Sequence, residues 1–302
     1  MKFKQIVAVD TVNLSEGVLT ELQKYSEKPF CIYSSDPKNQ TEIIKRIGNA
    51  DCVLVSWRTS ISKDVLEKCA NIKYIGLCAT SFANIDLEET KNRKIVVSNV
   101  SNYGDEATAE WVFAQLLSLA RGLGKYQWKE MPCELFGKTL GIIGLGNVGK
   151  HVAQLGLGFG MQVLYHSKTR KPEFEEKGVQ FMALHDLIKN SDIVSLHVPK
   201  NTKVLSKKEF ELFKEGAVLV NTCLGEVFDE KDFKGWIKKG KNFAIFDLAI
   251  SEAYQKTFKK TKNVIFGEVI AARTAESKQR LSARVLENLK AFLEKKPVNI
   301  VN

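Results

Sequence analysis

The sequence predicts an α/β protein built as two doubly wound parallel-sheet domains around a cleft. Three observations carry that expectation. Short β-branched runs alternate with helical patterns along the chain, which is the signature of parallel sheets made from βαβ units. The alternation pauses at one long helical stretch, DEATAEWVFAQLLSLARGL, and then restarts. At 302 residues the chain is long enough for two such domains.

In order, QIVAVD, FCIYSS, CVLVSW, KYIGLCA and KIVVSNV read as strands. LSEGVLTELQKYS, TEIIKRIGNA and SKDVLEKCA read as the helices among them. After the long helix come seven more strand-like runs: TLGIIG, QVLYHS, VQFMA, DIVSLHV, AVLVNT, NFAIFDLA and NVIFGEV. An amphipathic stretch, ESKQRLSARVLENLKAFLEKK, closes the chain. No internal repeat or low-complexity segment interrupts this order.

Composition narrows the function classes. The chain is 44% hydrophobic and 26% charged, ordinary for a soluble globular protein. Its net charge of +10 comes mostly from scattered lysines such as KKGK and KKTK, without Arg clusters interleaved with aromatics. That pattern reads as a solvated surface and not as a nucleic-acid interface. The six cysteines, at 31, 52, 69, 78, 133 and 223, form no CxxC pair. They read as reduced thiols, not as a disulfide framework or a metal site. No run is long enough for a signal peptide or a membrane span, so the expected location is cytoplasmic.

The most informative motif is TLGIIGLGNVGKHVAQLG. It places Gly144-x-Gly146-x-x-Gly149 directly after a strand and at a helix start. The first glycine permits a tight turn, the second lets a pyrophosphate approach the backbone, and the third lets helix and strand pack closely. Helix amides at Asn147 and Val148 then face the anion. In this strand–loop–helix context the motif points to a dinucleotide.

The next strand ends in His166-Ser167-Lys168-Thr169-Arg170, with no carboxylate before Glu173. An NAD-preferring fold usually places Asp or Glu there for the ribose hydroxyls. A hydroxyl beside two cations suits a 2′-phosphate, and a solvated basic turn is the competing reading. The expected cofactor is NADP(H), with NAD(H) as the alternative.

Over most of its length the chain resembles the D-isomer-specific 2-hydroxyacid dehydrogenase family. The resemblance rests on NIKYIGLCATSFANIDLEETKNRKIVVSNVSNYGDEATAEW, ELFGKTLGIIGLGNVGKHVAQLGLGFGMQVLYHS, DIVSLHVP, KEGAVLVNT and ENLKAFLEKKPVNIVN. It implies a flavodoxin-like substrate domain, residues 1–100 plus 278–302, and a Rossmann cofactor domain at 101–277. It also implies a homodimer, a small-molecule substrate, and a cofactor bordered by His197, Val198, Pro199, Thr222, Cys223 and Asp247.

The family's chemistry rests on an Arg, a Glu and a His, and this chain departs from it. The Arg of the NTARG-like pattern falls on Leu224 of NTCLG. The Glu position falls on Glu252, five residues after Asp247. The His of the TPHIA-like turn falls on Val269, with Glu268 before it. The four histidines, 151, 166, 185 and 197, all lie elsewhere. The family's glycine-rich substrate loop is here Ala79-Thr80-Ser81-Phe82-Ala83-Asn84-Ile85-Asp86. Its backbone amides remain candidates for an anion. Arg58 and Tyr103 are further substrate-binding candidates and Arg273 is a neighbour of the lost His, each set against a structural role.

Two functions follow from this reading. One is an NADP(H)-dependent oxidoreductase acting on a small carbonyl or hydroxy compound, with Glu252 and Glu268 as its catalytic carboxylates. A Glu252 without a His partner, among apolar groups, is more easily protonated and so able to donate. The other is a nucleotide-binding pseudoenzyme with a sensing or interaction role. In both, 2-keto acids are poor substrates, because the carboxylate clamp and the proton donor are missing together.

Overall fold

The structure, a computed structural model, describes residues 1–302 apart from the side chains of 251–253. Twelve strands form, one within each strand-like run. They are β1 Ile6–Ala8, β2 Cys31–Ile32, β3 Cys52–Val55, β4 Tyr74–Leu77, β5 Val96–Ser98, β6 Thr139–Ile143, β7 Gln162–His166, β8 Gln180–Phe181, β9 Ile193–Leu196, β10 Val218–Asn221, β11 Phe243–Phe246 and β12 Val264–Phe266. The helices are α1 Glu16–Gln23, α2 Gln40–Ile47, α3 Lys63–Lys68, α4 Leu87–Asn92, α5 Asp105–Arg121 and α6 Asn147–Gly158. They continue as α7 Pro172–Glu175, α8 Leu184–Asn190, α9 Lys207–Phe210, α10 Glu230–Ile237, α11 Leu248–Phe258 and α12 Ala275–Leu293.

The chain divides into two compact units, Met1–Tyr103 with Ala275–Asn302, and Gly104–Thr274. In the first, five parallel strands lie in the order β2-β1-β3-β4-β5, the flavodoxin-like arrangement. All residues of β3 and β4 are buried, so these strands read as continuous apolar runs and not as alternating ones. α12 belongs to this unit. Its Leu281, Val285 and Leu289 lie four residues apart on one face and enter a core with Phe3, Leu22 and Tyr74.

The second unit carries seven parallel strands in the order β12-β11-β10-β9-β6-β7-β8, with apolar cores on both faces. This is the doubly wound Rossmann order with one added strand. The chain runs outward from β6 through β7 and β8, then crosses to β9 on the other side of β6. That reversal opens a crevice at the carboxyl ends of β6 and β9, the place where such sheets bind ligands.

Candidate functional site

The glycine loop sits at this crevice. Gly144 has φ +98°, a backbone that side chains other than hydrogen rarely permit. A Cβ there would also lie 2.2 Å from the carbonyl oxygen of His197, at the end of β9. A Cβ on Gly149 would lie 2.2 Å from the Gly144 oxygen, so α6 starts in direct contact with the turn. Gly146, by contrast, faces open space, with nothing within 4 Å of its Cβ position. It precedes α6 without a capping side chain, and the first turn of α6 carries no acid. The early amides of the helix and its positive dipole end therefore face room for an anion. These residues fit a dinucleotide pyrophosphate.

Buried and half-buried side chains behind the loop hold it in place. His197 Nε2 lies 2.8 Å from Ser195 Oγ, and Nδ1 lies 3.4 Å from Thr222 Oγ1. Burial pushes the imidazole down to about 3, so it is neutral at physiological pH. The Val198 amide donates to Cys223 Sγ at 3.2 Å, and that thiol donates to the Leu196 carbonyl at 3.1 Å. Cys223 thus ties the end of β9 to the end of β10, and burial pushes its thiol up to about 12. Pro199 is exposed beyond this knot. Asn221, fully buried, accepts the Cys223 amide at 2.9 Å, while its Nδ2 finds no partner among the described residues.

The neutral His197 has a consequence for stability. An unfolded imidazole binds a proton below about 6.5, whereas the folded one stays neutral down to about 3. Between those values the unfolded state holds more protons, so stability falls as pH drops, by at most about 1.4 kcal/mol per pH unit. Urea unfolding from pH 4 to 7 should lose His197's part of its slope in His197→Asn. Equal slopes in the two proteins would contradict it.

At the end of β7, His166 Nδ1 donates to the Met182 carbonyl at 3.0 Å. Ser167 Oγ donates to the Thr169 carbonyl, closing the turn on itself. Arg170 is paired with Glu175, whereas Lys168 is exposed and has no partner among the described residues.

The other end of the crevice carries Leu224, after β10, and the turn after β12. Leu224 is half-buried and packs against the apolar core beside α10 and α11. After it, Gly225 has φ +76°, and a Cβ there would lie 2.0 Å from Asn201 Oδ1. The Leu224 carbonyl accepts the Asn201 amide at 3.3 Å. Asp247 Oδ1 accepts the amides of Ala249, at 3.3 Å, and Ala271, at 2.9 Å. It thereby pins the turn after β12 to the end of β11, and desolvation raises its pKa despite these bonds. On that turn Val269 is 60% exposed, and Glu268 and Arg273 are exposed too. The side chain of Glu252 lies outside the described residues.

None of the four histidines has a hydrogen bond to Leu224, Glu268 or Val269 among the described residues. His151 is on α6, His185 pairs with Glu209 at 2.8 Å, and His166 and His197 are bonded as above.

In the first unit, Arg58 pairs with Asp36 at 3.6 Å and lies over the Trp57 ring. Ala79 is buried; Thr80 donates to the Val100 carbonyl at 3.1 Å and accepts from Asn99 Nδ2 at 2.7 Å. Ser81 Oγ accepts the Ala83 amide, and Phe82 is 42% exposed. The backbone amides of Thr80, Ser81 and Phe82 have no acceptor among the described residues, which suits an anion. Tyr103 packs against the α12 core, and its carbonyl accepts Arg280 Nε at 2.9 Å.

Residues 113–271 match the NAD binding domain of the D-isomer specific 2-hydroxyacid dehydrogenases. The glyoxylate reductase of Thermococcus litoralis is 33% identical, over 97% of this chain and 95% of its own. The chain belongs to the D-isomer-specific 2-hydroxyacid dehydrogenase family. The hydroxypyruvate reductase of Blautia hydrogenotrophica is 29% identical over 86% of this chain and 88% of its own. An acyclic imino acid reductase solved with NADPH and D-Arg is 31% identical, with a TM-score of 0.85 over 99% of this chain and 100% of that one. Membership makes this a 2-hydroxyacid-dehydrogenase-like oxidoreductase of the NADP(H)- or NAD(H)-binding kind. Among the described residues no helix is long and apolar enough to cross a membrane.

Sequence reasoning missed Ser195, Asn221, Tyr165 and Glu175. Ser195 and Asn221 were the readable ones, as polar residues inside otherwise apolar parallel strands.

Proposed function

We propose that this protein is an NADP(H)-dependent reductase of a small carbonyl compound, with a catalytic site unlike that of its relatives. The observation that carries the reading is a contrast within one crevice. The glycine loop is intact, while Leu224 is packed into the core and Val269 stands exposed on its turn. When bound, a reduced nicotinamide nucleotide supplies a hydride. Gly144, Gly146 and Gly149, with the amides of Asn147 and Val148, hold the pyrophosphate. Ser167, Lys168, Thr169 and Arg170, beside His166, read the 2′-phosphate. His197, Val198, Thr222, Cys223 and Asp247 shape the nicotinamide side. Thr80 and Ser81, after the buried Ala79, offer amides to the substrate with Arg58 and Tyr103, and Glu252 and Glu268 are the carboxylates available to move a proton. The working division is residues 1–100 plus 278–302 for substrate and 101–277 for cofactor.

A fluorescence titration tests the cofactor reading. NADPH should bind at least about tenfold tighter than NADH, the worth of one charge-assisted hydrogen bond. Equal affinities would contradict it.

The same contrast favours a second substrate class, a C=N compound. Reducing a carbonyl requires a hydride and a proton; a protonated iminium already carries the proton, and the hydride alone yields the amine. Apart from exposed Glu268, residues 222–225 and 267–271 offer no acid, and a 31% identical relative is an imino acid reductase. NADPH oxidation with pyruvate, with and without methylamine, separates the classes. Turnover only with the amine supports the iminium, and NADPH binding without any turnover supports the pseudoenzyme. A homodimer in the cytoplasm is the proposed setting. Exposed Leu123, Met131, Phe136 and Phe159 are apolar side chains available to a second copy.

A further inference from the structure

Glu175 has no part in the scheme above, yet it is the best-connected acid near the end of β7. Tyr165, fully buried in that strand, accepts the Lys171 amide at 2.7 Å and donates to Glu175 Oε1 at 2.6 Å. Arg170 Nε donates to the same oxygen at 3.1 Å, and Arg170 Nη2 bonds the other carboxylate oxygen. The guanidinium also lies 5.1 Å over the Phe181 ring, which meets Tyr165 edge-on at 5.3 Å. Arg170 holds the Glu175 carboxyl below the usual carboxylate range, with Tyr165 adding to the effect.

An exposed Arg–Glu pair contributes little to stability by itself, and Arg170 is 63% exposed in this one. Its geometry is more informative than its energy. A guanidinium has two edges that can grip an anion bidentately, the Nε/Nη2 side and the Nη1/Nη2 end. Glu175 occupies the first and leaves the second in solvent. The carboxylate is itself fixed by a buried hydroxyl, so the arginine is held from a rigid strand and not merely from a loop. Such immobilisation before binding removes part of the entropy an anion would otherwise have to overcome.

We infer that Glu175, anchored by Tyr165, is a specificity-determining positioning residue that presents the free edge of Arg170 to the 2′-phosphate of NADPH. This rests on the NADP(H) reading above. In NAD-preferring relatives of the fold an acid at the strand end binds the ribose hydroxyls directly. Here the acid stands nine residues beyond His166 and grips the arginine instead.

The test is a fluorescence titration of NADPH and NADH against wild type, Glu175→Gln and Tyr165→Phe, with thermal unfolding to verify that each variant is folded. Both variants should bind NADPH about tenfold more weakly, with NADH affinity unchanged, so that discrimination falls without loss of the site. Tyr165→Phe keeps every charge and so isolates positioning from electrostatics. If wild type prefers NADPH and both variants keep that preference, the inference fails while the cofactor reading stands. A gain in NADPH affinity in Glu175→Gln would show that the acid competes with the phosphate, and would also overturn it. If wild type shows no preference for NADPH, the cofactor reading fails and this inference with it.

Discussion

Gly149→Ala is expected to lower NADPH affinity by at least about 100-fold, close to 2.7 kcal/mol, and to destabilise the fold. The added Cβ would sit 2.2 Å from the backbone oxygen of Gly144. Neither partner is a flexible side chain that can swing away. Gly144 is itself held against the His197 carbonyl, and its amide donates to the His166 carbonyl at 2.8 Å. Relief therefore requires α6 to move off the sheet, which takes its amides away from the anion they serve. Overpacking of this kind costs about 1–3 kcal/mol, and the upper end applies where backbone meets backbone. A fall of roughly 6–12 °C in Tm follows for a domain of this size. Gly146→Ala is the control, because its Cβ meets nothing within 4 Å. It should fold normally and lose only the close approach of the pyrophosphate. Wild-type NADPH affinity in Gly149→Ala would contradict this account.

Val269→His combined with Leu224→Arg is expected to raise kcat/KM for glyoxylate by about 10²-fold, the lower end of what general acid catalysis supplies. The two substitutions address separate deficits. Val269 is 60% exposed on a turn that Asp247 pins through the Ala271 amide, so an imidazole fits there without displacing core atoms. Leu224 is half-buried, and an arginine must extend its head beyond the apolar residues around α10 and α11. The double variant should therefore be less stable than wild type although more active on a 2-keto acid. The arginine alone should lower KM through the carboxylate, and the histidine alone should raise kcat through the proton. Unchanged turnover, with NADPH binding intact, would show that the deficit lies elsewhere.

The fold was legible because parallel strands buried on both faces are written as continuous apolar runs. AVLVNT and DIVSLHV need no partner strand to be recognised. Their order in the sheet is a different matter. That β9 lies against β6 and not β8 depends on where α8 packs, and no local pattern encodes it. The glycine loop was legible at Gly144 and Gly149, where backbone geometry dictates that a Cβ is excluded. Leu224 and Val269 read as departures from the resemblance, which places an arginine and a histidine there.

What the sequence did not disclose is which side chains meet across strands. His197 and Cys223 were singled out as neighbours of the cofactor. The structure gives them interior work: His197 bridges Ser195 and Thr222, and Cys223 links Val198 to Leu196. The sequence reads Arg170, with Lys168, as a cation for the 2′-phosphate; the pairing of its side-on edge with an acid five residues further along is not written there. Such pairings depend on register between elements, and only the folded sheet supplies it.

In the proposed function, nucleotide binding is kept while the residues that reduce 2-keto acids are replaced. The replacement is tested most directly by kcat for glyoxylate at saturating NADPH, on protein shown by fluorescence to bind that nucleotide. The expected value lies far below the order of 10 s⁻¹ typical of enzymes. Turnover at or above that rate would contradict it, and would mean that another group, with Arg58 and Arg273 the first to replace, grips the substrate carboxylate.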